Sequence, residues 1–182
     1  MYISPIFLYT KPIMDYQALA ERLFPQVTKT VQDWRDIYPA RQLPEGAMIT
    51  RFAPSPTGFL HVGAIYMALA EERLAHQSGG VYMLRIEDTD KNREIEDGVN
   101  QIIDALHSFG IDHDEGAMKD GKEAGSYGPY LQSARLDIYH SFAKHLVASG
   151  HAYPSFATSE ELDAIRKDQE SQKVKPGYYG AW

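Results

Sequence analysis

The sequence predicts an α/β protein built on a parallel sheet, with a helical segment ahead of it. A short apolar run over residues 48–53 leads through a Pro/Gly turn into a helical pattern over 62–77. A second apolar run follows over 81–86, and another helical pattern comes after it. Strand and helix in strict alternation is the order that gives parallel strands joined by right-handed crossovers.

Residues 1–13 show no clear period. From Asp15 to Tyr38 the apolar residues Leu19, Leu23, Val27, Val31, Trp34 and Tyr38 recur every three or four positions, which puts them on one helical stripe. Pro25 predicts a division of that stripe into two helices, and the two prolines and one glycine of residues 39–46 read as a linker. The helix over 62–77 is stopped by Gly79 and Gly80, and the run over 81–86 is apolar enough for a strand buried in a parallel sheet. The next helix carries Ile95, Val99, Ile102, Ile103, Leu106 and Phe109 on one face, with Asp90 as its expected N-cap and Gly110 as the left-handed residue that ends it. Ser133 is the expected cap of a further helix, with Leu136, Tyr139, Phe142, Leu146 and Val147 inward and Gly150 closing it. Thr158 and Glu161 match a capping box for a last helix. There is no internal repeat and no low-complexity run.

Composition narrows the function. With 182 residues, 43% hydrophobic and 24% charged, the chain suffices for one main domain and an appendage. A net charge of -7 argues against nonspecific coating of nucleic acid, which needs a basic surface; a local basic patch remains compatible with RNA binding. The absence of cysteine rules out disulfides, thiolate zinc sites and cysteine nucleophiles, and fits a cytoplasmic protein. The apolar start is too short, and too broken by Pro5, to span a bilayer, so no membrane partner is expected.

The chemistry concentrates in Arg51-Phe-Ala-Pro-Ser-Pro-Thr-Gly-Phe-Leu-His-Val-Gly-Ala64. Here a strand delivers a proline-stiffened loop to a helix N-terminus, which attracts phosphate. Gly58 and Gly63 allow close backbone approach, and Thr57 and His61 can donate to phosphoryl oxygens. A lone histidine beside a turn is equally compatible with a structural or merely exposed role. A second block, Leu84-Arg-Ile-Glu-Asp-Thr-Asp90, falls at the carboxyl end of the second strand, where open α/β sheets hold their ligands. Its carboxylates suit a cap, a solvated surface or a magnesium site. Arg51 ends the first strand with a guanidinium that can grip a carboxylate in two parallel hydrogen bonds, or form a surface salt bridge. A third block is Gly128-Pro-Tyr-Leu-Gln-Ser-Ala-Arg135. Tyr130, Gln132 and Arg135 are candidates for contact with a nucleic-acid end, and equally for capping and packing. Arg166, Lys167, Lys173 and Lys175 form a local basic cluster that also fits a solvated helix face.

These three blocks, in this order, resemble the N-terminal half of the catalytic domain of class I aminoacyl-tRNA synthetases, in the glutamyl version. Ala64 departs from the fullest signature, in which many members carry a second histidine. The resemblance implies a partial Rossmann-like core and a substrate set of ATP with Mg2+, L-glutamate and tRNA(Glu). His61 would act as the catalytic donor to the ATP phosphates, with Thr57, Gly58 and Gly63 beside it. Arg51, Ala53, Ser55 and Glu87 would form the glutamate pocket, Glu87 accepting the ammonium group. Glutaminyl relatives carry Phe-Asp-Asp-Thr-Asn where this chain has Ile86-Glu-Asp-Thr-Asp90, which favours glutamate.

Some bacterial members hold a structural zinc through cysteines at places where this chain has Ser155, Ala157 and Trp182, so no zinc is expected. The implied organisation is a helical extension and linker over 1–47, the first half of the catalytic domain over 48–127, and the start of an acceptor-stem-binding insertion over 128–182. Residues 1–47 are expected to be an appendage without counterpart in the usual enzyme. The sequence shows no Lys-Met-Ser-Lys-Ser-like loop and no anticodon domain, so it reads as part of a monomeric synthetase and is expected to be inactive by itself. Three rival readings remain at this point. One is the shorter paralogue that glutamylates a queuosine base in tRNA(Asp), against which Thr57 and Thr89 count. The others are a small nucleotidyltransferase and a non-catalytic fragment that binds tRNA or nucleotide.

Overall fold

A computed structural model describes residues 14–178. The sequence-based reading of residues 1–13 and of Trp182 falls outside that range. The described residues form α1 (Tyr16–Leu23), α2 (Val31–Ile37), β1 (Ile49–Phe52), α3 (Val62–Gln77), β2 (Val81–Leu84), α4 (Gly98–Ser108), β3 (Glu115–Ala117), β4 (Glu123–Ala124), α5 (Leu136–Ala148) and α6 (Ser159–Ser171). The sheet runs in the order β1-β2-β3-β4; the first three strands are parallel and β4 is antiparallel to β3. This is the α/β architecture that the alternating pattern predicts, and α3 keeps its expected bounds.

Pleating gives the sheet two unlike faces. Phe52 pairs with Leu84 and both enter the core, together with Tyr82, Ile86, Ile102, Ile103, Leu106 and Ile111. Arg51, Met83 and Glu115 lie in register across the three parallel strands on the opposite face. Close packing of β1 on β2 demands glycine at one point, because a Cβ on Gly80 would stand 1.8 Å from the Met48 carbonyl oxygen. At the far end of α3, His76 bridges Glu72 at 2.9 Å and Asp114 at 3.0 Å. Asp114 also accepts the Tyr82 N–H, so one carboxylate joins α3 to β2. Burial pulls the His76 pKa down, but the hydrogen bond to Asp114 and the two carboxylate charges outweigh it and leave it raised.

The N-terminal helices pack on α5. Trp34 donates its Nε1–H to the buried Ser141 hydroxyl at 2.9 Å, and Lys144 pairs with Glu21 at 2.8 Å. The linker is equally fixed: the Tyr38 hydroxyl donates to the Gly128 carbonyl, and the Tyr127 hydroxyl donates to that of Pro39.

Three expectations need correction. The helix after β2 starts at Gly98, not beside Asp90, because Asp97 takes a left-handed conformation (φ 58°) and the Ile95 N–H leaves the helical pattern to bond the Pro56 carbonyl. Asp90 instead accepts from Arg93, and Phe109 at the other end is exposed. Ser133 caps no helix, since its N–H and hydroxyl both turn to Asp88. In α5 the buried residues are Ile138, Ser141 and Val147, while Leu136, Phe142 and Leu146 are largely exposed; the polar Ser141 belongs inside because Trp34 needs an acceptor there. The short β3 and β4, rich in glycine and charge, carry no apolar alternation and escape sequence reading.

Thr158 and Glu161 form the expected capping box at the start of α6, with bonds of 3.2 and 2.8 Å. Replacing Thr158 with Ala is expected to speed amide exchange in the first turn of α6 about fivefold, matching the loss of one cap. Hydrogen exchange followed residue by residue checks it, and protection unchanged over 159–162 contradicts it.

Candidate active site

The turn between β1 and α3 is held from the side by the second block. The Glu87 N–H donates to the Pro54 carbonyl at 2.9 Å, and the Ile95 N–H donates to that of Pro56 at 2.9 Å. Pro56 is fully buried, so the loop has an interior anchor. Its outer side forms a cleft of about 440 Å³ lined by Ala53, Ser55, Thr57, Gly58, His61 and Ala64, among others. His61 is the N-cap of α3, and its Nδ1 accepts the Ala64 N–H at 3.2 Å. A neutral imidazole that accepts at Nδ1 carries its proton on Nε2, so the exposed edge of the ring is a donor. Gly63 makes room for that ring: a Cβ there would stand 3.1 Å from His61 Nδ1 and Cε1. Gly58 has open space around it, as a backbone approached by a ligand requires.

Arg51 and Glu87 meet on the sheet face that turns away from the core. Arg51 Nη1 and Arg85 Nη2 both reach Glu87 Oε1 at 3.2 Å. Arg51 lines a second depression of about 280 Å³ with Arg41, Arg85, Tyr127, Tyr130 and Arg135. His61 is not part of that depression, because Arg51 leaves β1 on the face opposite α3. Strand β1 therefore serves both, giving Phe52 to the first and Arg51 to the second.

Asp88 is 5% exposed and closes the second block onto the third. Its carboxylate accepts the Ser133 N–H at 2.8 Å and hydroxyl at 2.5 Å, and Lys91 at 3.0 Å. Burial raises its pKa, but the Ser133 and Lys91 hydrogen bonds together prevail and hold it below the ordinary carboxylate value. All three acids of the block are thus engaged, and no cluster of metal-binding side chains occurs among the described residues.

A family model described as tRNA synthetases class I (E and Q), catalytic domain, matches residues 47–180. The chain belongs to this family. It is 55% identical over 170 residues to a glutamate–tRNA ligase of Acetivibrio thermocellus and 51% identical over 167 residues to one of Clostridium perfringens. These alignments cover 93% and 92% of the chain and 31% of each relative, so the chain spans about a third of the length of the relatives it matches. Coverage that high takes in most of residues 1–47, so these two relatives carry a counterpart of the helical extension, whereas glutamate–tRNA ligases of Acidothermus cellulolyticus and Clostridioides difficile align over only 70% and 71% of the chain. A solved glutamate–tRNA synthetase from Elizabethkingia anophelis superposes with a TM-score of 0.64 at 40% identity, covering 74% of this chain and 26% of that one. A glutamate–tRNA ligase of Elizabethkingia meningosepticum, solved in complex with its amino acid, superposes at 0.63 and 40% identity over the same shares.

Within this class I synthetase domain the third block is packed more deeply than a tRNA contact requires. Tyr130 is 1% exposed; its hydroxyl donates to Glu115 at 2.9 Å and accepts the Tyr127 N–H at 3.0 Å. That corrects its reading as a stacking platform, since no ring face is free. Burial, helped by Glu115, pushes its phenol up to about 12. Arg135 donates to the carbonyls of Tyr127 and Pro129, and the Gln132 N–H donates to that of Ile86. Arg85, Arg41 and Glu115 were not singled out from sequence. Arg85 was within reach, because it shares a strand face with Glu87 and hence with Arg51.

Proposed function

We propose that this chain supplies the ATP- and glutamate-binding part of a glutamate–tRNA ligase that makes glutamyl-adenylate and transfers the glutamyl group to tRNA(Glu). The meeting of Arg51 with Glu87 beside a phosphate-binding turn carries the reading. In this scheme the α-carboxylate of L-glutamate attacks the α-phosphorus of ATP, the bond from that phosphorus to the bridging oxygen breaks, and pyrophosphate leaves. Mg2+ arrives with ATP as part of the substrate. His61 donates from Nε2 to the phosphates, with Thr57, Gly58 and the N-terminal end of α3 around them. Glutamate lies between the two acting charges: its side-chain carboxylate replaces Glu87 as the partner of Arg51, and its ammonium goes to Glu87, with Ala53 and Ser55 alongside. Tyr130 and Arg135 then line the Arg51 depression, Gln132 and Arg135 remaining candidates for the tRNA end. Such an enzyme works in the cytoplasm, and no described helix is long and apolar enough to cross a membrane.

The test is ATP–pyrophosphate exchange by a protein of the relatives' length that carries this chain. Exchange is expected with L-glutamate and not with L-glutamine, and residues 1–182 alone should give almost none. Exchange of equal rate with L-glutamine would overturn the assignment of Arg51.

A further inference from the structure

The depression around Arg51 has a wall that the family domain does not provide. Tyr38 and Arg41 line it, and both precede residue 47, where the family model begins to match. Arg41 is held unusually firmly for a linker residue. Its guanidinium forks onto Glu115 at 2.5 and 2.7 Å, with side chains only 12% and 15% exposed. It also lies 3.7 Å over the Tyr127 ring, and its Nη2 stands 3.7 Å from Met83 Sδ. The Tyr38 hydroxyl bonds the Gly128 carbonyl and the Tyr127 hydroxyl bonds that of Pro39, so the linker and the third block are tied on both sides of Arg41.

Charge shows why this matters. Glu87 is shared by Arg51 and Arg85, each bonding it through one of its five donors. Two guanidinium groups against one carboxylate leave the depression cationic, and Arg135, bonded only to carbonyls, adds a third. Glu115 stands on the same sheet face, in register with Met83 and so one strand beyond it. Without a partner its carboxylate would oppose any anion brought to Arg51. Arg41 cancels it.

We infer that the N-terminal segment is part of the ligand pocket: Tyr38 and Arg41 wall the Arg51 depression, and Arg41 is a positioning residue that keeps Glu115 from opposing a dicarboxylic amino acid there. This rests on the reading of Arg51 as the glutamate-binding cation.

The experiment titrates L-glutamate into the chain while following the Nε–Hε signals of Arg51 and Arg85 by NMR. Signals of the His61 ring and of Tyr82 report whether each variant is folded. Arg41→Ala is expected to weaken binding about tenfold, the effect of leaving one like charge unpaired near the ligand. Arg41→Lys keeps the charge but loses the fork onto Glu115 and the stacking on Tyr127, so it should fall between the unaltered chain and Arg41→Ala. Arg41→Ala combined with Glu115→Gln removes the opposing carboxylate and spares the fold a buried unpaired charge, so it should recover most of the affinity. If the folded Arg41→Ala chain binds glutamate within about twofold of the unaltered one, the inference fails while the glutamate reading stands. If the double variant binds as weakly as Arg41→Ala, the role given to Glu115 fails. No response of Arg51 to glutamate in the unaltered chain would overturn the inference and the glutamate reading together.

Discussion

Replacing His61 with Ala is expected to lower glutamate activation by about 10²–10³-fold, the loss seen when one preorganised donor to a developing charge is removed. The geometry makes this specific to one nitrogen. Nδ1 is already committed to the Ala64 N–H at 3.2 Å, so only Nε2 is left to serve a phosphate. The same bond gives the residue a structural duty as the cap of α3, and the two roles separate by choice of variant. Asn is a strong N-cap, so His61→Asn should keep the thermal stability that His61→Ala partly loses, and yet share its loss of activity. Gly63→Ala offers a third route, because its Cβ would press on the ring at 3.1 Å without touching the cap's backbone bonds. Pyrophosphate exchange measured beside a thermal melt checks all three. A loss of less than about threefold for His61→Ala would remove it from the chemistry.

The parts of this site that were legible in sequence are those whose signals are local. A strand, a proline-stiff turn and a helix N-terminus lie within residues 49–62, and the bounds of α3 follow from periodicity and from the glycines behind it. Glu87 was found because a motif carries it. What stayed hidden depends on partners distant in the chain. Asp90 looked like a cap because it precedes an apolar stripe; nothing local announces that Ile95 bonds Pro56, which lies in the preceding turn, and so delays the helix to Gly98. Ser133 looked like a cap for the same reason, and its true partner is Asp88, 45 residues earlier. Arg41 sits among prolines and a glycine, a context that reads as linker, and only the sheet register brings Glu115 to it. Tyr130 resembled an exposed aromatic in a motif, but burial is decided by the third dimension, which a single sequence does not encode locally.

Asp88→Ala is expected to destabilise the chain by roughly 3 kcal/mol, because it strips the acceptor from both the N–H and the hydroxyl of Ser133. Lys91 contributes little to that figure, since it is well exposed and has Glu94 as a second partner at 2.9 Å. Asp88→Asn should be much milder, as one amide oxygen still accepts and the serine hydroxyl can rotate to accept in turn. The pH dependence distinguishes the two explanations of the loss, hydrogen bonding and charge. The folded pKa of Asp88 lies below its unfolded value, so its contribution is fully present above about pH 4 and disappears as pH falls through the folded pKa. Urea unfolding should therefore show the gap between the unaltered chain and Asp88→Asn closing toward acid pH. Glu115 and Asp90, also held low by Arg41 and Arg93, titrate equally in both proteins and cancel from that comparison. A gap that stayed constant down to strongly acid pH would mean that the carboxylate charge of Asp88 plays no part. Because Glu87 precedes Asp88 and Arg135 follows Ser133, loosening this link should also disturb the Arg51 depression, weakening glutamate binding even where the fold survives.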